Sequence, residues 1–353
     1  MYRLQGREYV PALRTRDSEL KAFENLTPEV RRLLLPVFEL TRSRRSKTNP
    51  DGSVVKTVER LISLMGENPF IVDVTSLDSQ ANAETAAFLD PADSFRNWCN
   101  FVLMHLPETC IPVVHLSDPF DRSEFAAQRA RLESKFRGIA LRVPTEYSDA
   151  QHLAAALKSS PKIGCVVLLV DAGFVPQGSS ASASKSCMQV AQLFAGLVDL
   201  VAPLTSSFPS SVTEASFGGG DAYGDFVLEE VTVSEVMKLV GVGATRIVHG
   251  DYGLVHPNDF EGTVTNWVPR VDVPLDTTGF YYRYRRPAGG YALAAALAVK
   301  DVKYKALPCW AHDMVAKAAA GDPEGRSPSF WISVRVNFHI SRQVFRLNPQ
   351  LAR

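Results

Sequence analysis

Cysteine is sparse in this 353-residue chain: Cys99, Cys110, Cys165, Cys187 and Cys309 are odd in number, far apart and without a CxxC pair. That pattern argues against a disulfide framework and against a thiolate zinc site. Reduced thiols in a cytoplasm are the default expectation. No segment approaches the roughly 18 apolar residues needed to span a bilayer, and the opening "MYRLQGREYVPALR" has charges throughout and no apolar core of a signal peptide. A cytoplasmic protein with no membrane contact is expected. Surplus charge is missing too: 38 Lys and Arg balance 38 Asp and Glu. No global field therefore favours a polyanion, and any nucleic-acid contact needs a local basic patch. Also absent are a dinucleotide-binding glycine fingerprint after the first strand, a Walker lysine, HExxH, a nucleophile elbow, and any repeat of 20 to 50 residues.

What is present is an ordinary globular composition, 46% apolar and 22% charged, arranged as an alternation. Short apolar runs of strand length are separated, in most cases, by segments with helical spacing of apolar residues. The runs are "YVPAL" (9–13), "LLPVFEL" (34–40), "FIVDV" (70–74), "CIPVVHL" (110–116), "GIALRV" (138–143), "GCVVLLVDAG" (164–173), "DLVAPLT" (199–205) and "TRIVHG" (245–250). Helices are expected after the first run and near 54–66, 94–107, 184–197 and 232–240. Eight strands joined by right-handed crossovers predict an α/β fold, a (β/α)8 TIM-type barrel, over residues 1–256. A doubly wound open sheet is the alternative.

Residues 257–353 form the expected C-terminal α+β appendage, packed on the barrel. "VDVPLDTTGFYYRYRR" (271–286) reads as a hairpin. A helix is expected near 307–320, "SFWISVRVNFHI" (329–340) alternates like a strand, and the tail reads as a short closing helix. "GSSASASKS" (178–186) reads as a flexible loop, and "FGGGDAYGD" (217–225) as a mobile loop rather than a phosphate cradle.

In a barrel of this kind the C-terminal strand ends share one mouth, where barrel enzymes keep their active sites. Polar residues collect there. Arg14 ends the first strand, with Arg16, Asp17 and Glu19 beyond it. Glu39, Asp73, His115, Arg142 and Asp171 follow on strands two to six, Thr205 and Ser206 on strand seven, and His249, Asp251 and Tyr252 on strand eight. A charge in a buried strand must be paired, hydrogen-bonded or metal-bound, or it costs several kcal/mol. Glu39, Asp73, His115, Asp171 and Asp251 suit general acid–base work or a divalent metal ion, while Arg14 and Arg142 suit a bidentate grip on phosphate or carboxylate. The competing reading is an internal salt-bridge network, and a lone His115 or His249 is more often structural than a ligand. The run "TRSRRSKTNPDG" (41–52) puts Arg42, Arg44, Arg45 and Lys47 on the same rim, either as a solvated loop or as a contact for a nucleic-acid backbone. "FYYRYRR" (280–286) interleaves aromatics with Arg283, Arg285 and Arg286, a mixture used on nucleic acids and equally that of a half-buried strand.

"YVPALRTRDSELKAFENLTPEVRRLLLPVFEL", "HGDYGLVHP" and "WISVRVNFHISRQV" resemble the protein beta family of bacteria and satellite prophages. The likeness spans almost the whole chain and is strongest at both ends and around the eighth strand. It implies a context rather than a reaction: a prophage module with a killing protein, in which the family member acts as antidote or defence component. Glu39, Asp251, Tyr252, Trp331, Arg335, Asn337 and His339 fall in the family-like motifs, so Tyr252, Arg335, Asn337 and His339 join Arg14 and Arg142 as candidate ligand-binding residues. The chain departs from the family pattern at Arg16–Glu19 and at Phe338. Two functions follow as expectations. One is a metal-assisted or acid–base hydrolase of a phosphoester in a nucleotide or nucleic acid. The other is a non-catalytic barrel that binds a partner protein, a toxin or another defence component.

Overall fold

The computed structural model describes residues 4–160, 164–210, 222–258 and 267–352. Strands β1 (Tyr9–Arg14), β2 (Val37–Leu40), β3 (Phe70–Val74), β4 (Cys110–Val114), β5 (Gly138–Pro144), β6 (Cys165–Phe174) and β7 (Leu200–Ser206) pair in chain order, all parallel. A further strand, β8 (Tyr223–Val227), lies elsewhere. The eighth barrel run divides at Val248 into β9 (Arg246–Ile247), which pairs with β7, and β10 (His249–Asp251), which pairs with β1. The sheet thus returns to its own first strand as a barrel. The open-sheet alternative is excluded by that return. Gly250 sits where the closing strand passes β7 so tightly that a Cβ would lie 2.4 Å from the carbonyl oxygen of Pro203. Only glycine fits there.

The strands are apolar on both faces, as helix-covered parallel strands must be. Alternate residues have alternate destinations. Val10, Ala12, Val37, Ile71, Val113, Ala140, Leu169, Ala202 and Val248 fill the barrel interior. Their neighbours Leu13, Phe38, Val72, Leu141 and Leu168 pack outward against the helices. Those helices are α1 (Asp17–Glu24), α2 (Pro28–Arg32), α3 (Val55–Met65), α4 (Ala83–Phe88), α5 (Ala92–His105), α6 (Arg122–Glu133), α7 (Ala150–Ser159), α8 (Ser180–Leu193) and α9 (Glu229–Val240). The serine-rich stretch expected as a loop is instead the first turns of α8, where the Ser182 and Ser184 hydroxyls donate back to the carbonyls of Ser179 and Ser180.

Beyond the barrel, β11 (Arg270–Pro274) and β12 (Thr278–Arg283) form the expected hairpin, and β8 adds a third antiparallel strand. Tyr223–Asp225 of that stretch are therefore sheet rather than loop, while residues 217–221 lie outside the described residues. Helices α10 (Gly290–Lys300) and α11 (Trp310–Ala319) cover this small sheet; α10 had no counterpart among the expected elements.

The segment expected as a last alternating strand is a 20-residue helix, α12 (Pro328–Leu347). Its alternation is a by-product of burial on two sides. Trp331, Val334 and Phe338 face the small sheet and its helices, while Val336, Ile340 and Val344 enter the main barrel core. A helix apolar on two faces can imitate a period of two over a short window. The start signal was present in sequence: Ser327 caps the helix, its hydroxyl accepting from the Phe330 amide, and Pro328 takes the first turn. The helix packs along α1 and thereby ties the C-terminal segment to the beginning of the barrel.

Asn337 makes that tie specific. Its amide donates to the Ala22 carbonyl at 2.9 Å and accepts from the Ala311 amide at 3.1 Å, joining α1, α11 and α12. Replacing it with leucine keeps the volume but strands two buried backbone groups, each worth about 1–3 kcal/mol. Asn337→Leu is expected to lower unfolding free energy by about 2–4 kcal/mol in urea titration; an unchanged midpoint would contradict the assignment.

Candidate functional site

Arg14, Glu39, Asp73, Arg142 and Asp171 each follow an inward-facing barrel residue by two positions, so the pleat turns all five toward the interior at the C-terminal strand ends. Register places Arg14, Glu39 and Asp73 side by side on three neighbouring strands. Arg142 is the hub. Its Nε donates to Asp171 Oδ2 at 2.8 Å, one terminal nitrogen to Asp73 Oδ2 at 2.8 Å and Glu39 Oε2 at 3.2 Å, and the other to the Tyr252 hydroxyl at 3.0 Å. The Tyr252 hydroxyl in turn donates to Asp171 Oδ1 at 2.5 Å. His115 Nε2 lies 3.4 Å from Asp73 Oδ1, its ring stacked on Trp98 at 4.8 Å between centroids. The cluster is not sealed: the Arg142 and Asp171 side chains keep 19% and 15% of their surface.

Burial alone would lower the Arg142 guanidinium, but Tyr252, Asp171, Glu39 and Asp73 outweigh it and hold the group well above its ordinary value. Burial likewise pushes the Asp73 carboxyl up, and His115 and Arg142 reverse this to about 2. Burial and then Asp171 push the Tyr252 phenol well above its usual range. Among the described residues no group of His, Cys, Asp and Glu has the spacing of a metal site. The mouth carboxylates converge instead on the guanidinium.

Asp251 belongs to a different place. One residue before Tyr252, it has the opposite pleat and faces the helices. Its Oδ2 accepts from His339 Nε2 at 2.7 Å and lies 3.2 Å from His249 Nε2, while Oδ1 accepts from the Tyr9 hydroxyl and the Gly253 amide, both at 2.7 Å. Asp251, His249 and His339 are fully buried. Burial opposes the charge, but His339 and His249 hold the Asp251 carboxyl below the usual carboxylate range. Burial depresses the His249 imidazole to about 4. Nearby Glu230, which accepts from the Ser207 hydroxyl at 2.7 Å, is raised by burial and by Asp251 to about 7.

The structure thus gathers Glu39, Asp73, His115, Arg142, Asp171 and Tyr252 in one mouth. Arg14 stands on that rim with its guanidinium donating to the carbonyls of His256 and Pro257. Asp251 and His339 form the second cluster. Arg335 and Asn337 join neither: Arg335 reaches Asp272 at 3.4 Å, stacks 4.1 Å from the centre of the Phe208 ring, and is lowered by burial to about 10, while Asn337 is the interhelical tie described above. Two carboxyls that were given no role from sequence stand out. Glu230 is one. Glu19, buried in the first turn of α1, is the other; burial raises it to about 7 although Arg14 and Arg16 pull the other way, and its Oε2 has no hydrogen-bond partner among the described residues. Its place just after the first strand end was visible in sequence, whereas its burial was not.

A family described as Beta protein matches residues 9–345. "Protein beta" of Enterobacteria phage P4 is similar at 28% identity over 342 residues, covering 95% of this chain and 92% of that protein. No solved structure matches the chain.

Glu230 carries a pH signature. Folded, it holds its proton to about 7; unfolded, it loses it near 4.5. The folded state therefore binds more protons across that window, and this group withdraws stability as pH rises through it. Glu230→Gln removes the effect, while the opposing contribution of His249 is common to both proteins. The variant's urea midpoint, relative to wild type, should rise between pH 5 and pH 8 by the equivalent of about 3 kcal/mol. A difference that does not change with pH would refute this.

Proposed function

The chain belongs to the protein beta family, and from that premise we propose that it acts in conflict between phages and their hosts as a barrel hydrolase of a phosphoester in a nucleotide or nucleic acid. The observation that carries this reading is the mouth itself. Strands far apart in sequence converge three carboxylates, a guanidinium and a phenol on one partly exposed rim, where barrel enzymes place catalytic groups. Buried ion networks are weak stabilisers, and apolar replacements are often as stable. A stability role alone therefore gives little reason for so many charges.

In this reading Glu19, within the fields of Arg14 and Glu39 at the rim, is the acid–base group. Its unpartnered oxygen takes a proton from a water molecule as the water oxygen bonds to phosphorus; the ester P–O bond breaks, the departing oxygen is protonated by solvent at the open rim, and Glu19 afterwards returns its proton to solvent. A carboxyl ionising near neutrality is matched to that task. Arg14 and Arg142 orient, and the Tyr252–Asp171 hydrogen bond holds Arg142 in place. The antidote or defence role follows from the family's prophage setting.

One observation favours a second reading, a non-catalytic barrel that binds a partner protein such as a toxin. Every guanidinium nitrogen of Arg142 is already bonded within the chain, so the mouth is balanced without a ligand.

Hydrolysis of bis(p-nitrophenyl) phosphate and of short oligonucleotides, with and without magnesium or manganese, decides between them. Glu19→Gln should reduce turnover by roughly 100-fold or more with KM little changed and the urea midpoint at or above that of wild type. Absence of turnover by the wild-type protein under all of these conditions would reject the hydrolase in favour of the binding barrel.

A further inference from the structure

The loops after β1 and β2 enclose a cleft of about 490 Å³ lined by Arg16, Arg42, Arg44, Arg45 and Arg60, with Asp17 as the acidic member. Arg60 is neutralised, its Nε 2.5 Å from Glu24 Oε1 and its NH1 3.9 Å from Asp17 Oδ1. Arg16, Arg42, Arg44 and Arg45 are exposed, and none makes an ion pair or side-chain hydrogen bond among the described residues. Four like charges are held together with no direct ion pair, and Asp17 is the single carboxylate in the lining.

A basic run of this kind is ordinarily a solvated loop that spreads to relieve its own repulsion. This one is pinned. The Arg42 amide donates to the Gln80 carbonyl at 2.8 Å, and the Ser43 amide to the Gly52 carbonyl at 2.9 Å. The Ser43 and Thr57 hydroxyls meet at 2.7 Å. Asn49 clamps Ser53 through its amide and carbonyl at 2.8 and 3.0 Å, and Asn82 donates to the carbonyls of Asp51 and Gly52 at 3.0 and 3.1 Å. Gly52 adopts φ +70°, and a Cβ there would lie 2.7 Å from the Ser43 carbonyl oxygen, so the loop closes on itself at that point. Ordering the loop beforehand removes most of the entropy that a ligand would otherwise have to supply.

We infer that this cleft binds the polyphosphate of a nucleoside di- or triphosphate. Guanidinium forks match phosphoryl oxygens two at a time, and the cleft has the size of a small-molecule site, about 300–1,000 Å³. A di- or triphosphate concentrates several negative charges on adjoining phosphorus atoms, matching arginines gathered in one concavity. A nucleic-acid backbone spaces single charges a sugar apart and would follow an extended stripe instead. The site shares no residue with the Arg142 network, and its one link to the chemistry proposed for the mouth is Arg16, which also acts on the Glu19 carboxyl.

Calorimetric titration of the full chain with ATP, with inorganic tripolyphosphate and with a single-stranded oligonucleotide tests this. ATP and tripolyphosphate should both bind, more weakly as salt is raised, and Arg44→Ala with Arg45→Ala should weaken both by roughly tenfold or more. Arg283→Ala with Arg285→Ala, at and just beyond the end of β12, should leave them unchanged. Failure of ATP and tripolyphosphate to bind, binding indifferent to Arg44 and Arg45, or tighter binding of the oligonucleotide than of either would overturn the inference.

Discussion

One guanidinium holds the centre of this molecule. A closed parallel barrel brings the ends of its strands to a common rim whatever their separation in sequence, and here that geometry forces Glu39, Asp73 and Asp171 into each other's fields. Carboxylates this close and this buried could not all remain ionised without a cation among them. Arg142 supplies it from the fifth strand, and its forked geometry satisfies acceptors from four other strands or strand ends at once. Lysine in its place would offer a point charge in place of this planar fork.

The second buried anion is balanced on different terms. Asp251 has two imidazoles, a phenol and a backbone amide around it and no permanent positive charge. Its partners come from β1, from the closing strand and from α12, so this carboxylate lies where the barrel seam and the last helix meet. Glu230 beside it pays the electrostatic cost by holding its proton toward neutrality. The molecule thus handles buried acid in two ways: with a fixed cation where the surface is near, and with shared protons where no solvent reaches.

Much of this architecture was legible in the sequence because barrel strands are short, apolar on both faces and separated by helices. The eight runs map onto the eight barrel positions, and the mouth residues followed from counting strand ends. What failed has a common physical cause. Period-two and period-3.6 patterns converge when a helix is buried on two sides, which hid α12. The pairing of β8 with β12 spans about fifty residues that no local pattern connects. The division between Asp251 and Tyr252 was implicit in their adjacency, since neighbours on a strand face opposite ways, but it needed the strand to continue to its last residue. Glu19 was already placed at the first strand end, but its raised pKa, like that of Glu230, was invisible because burial, rather than composition, raises both. The arginine run was plain in sequence; its pinning by Asn49, Asn82 and Gln80 was not.

The seam has a consequence for how the chain comes into being. The strand that closes the barrel pairs with the first strand, and the anion at its end is engaged by His339, 88 residues further along the chain. Contacts of such long sequence separation are slow to form. During synthesis from the N-terminus, Asp251 therefore leaves the ribosome 88 residues ahead of His339, and the buried anion at the seam waits for α12 before that imidazole can engage it.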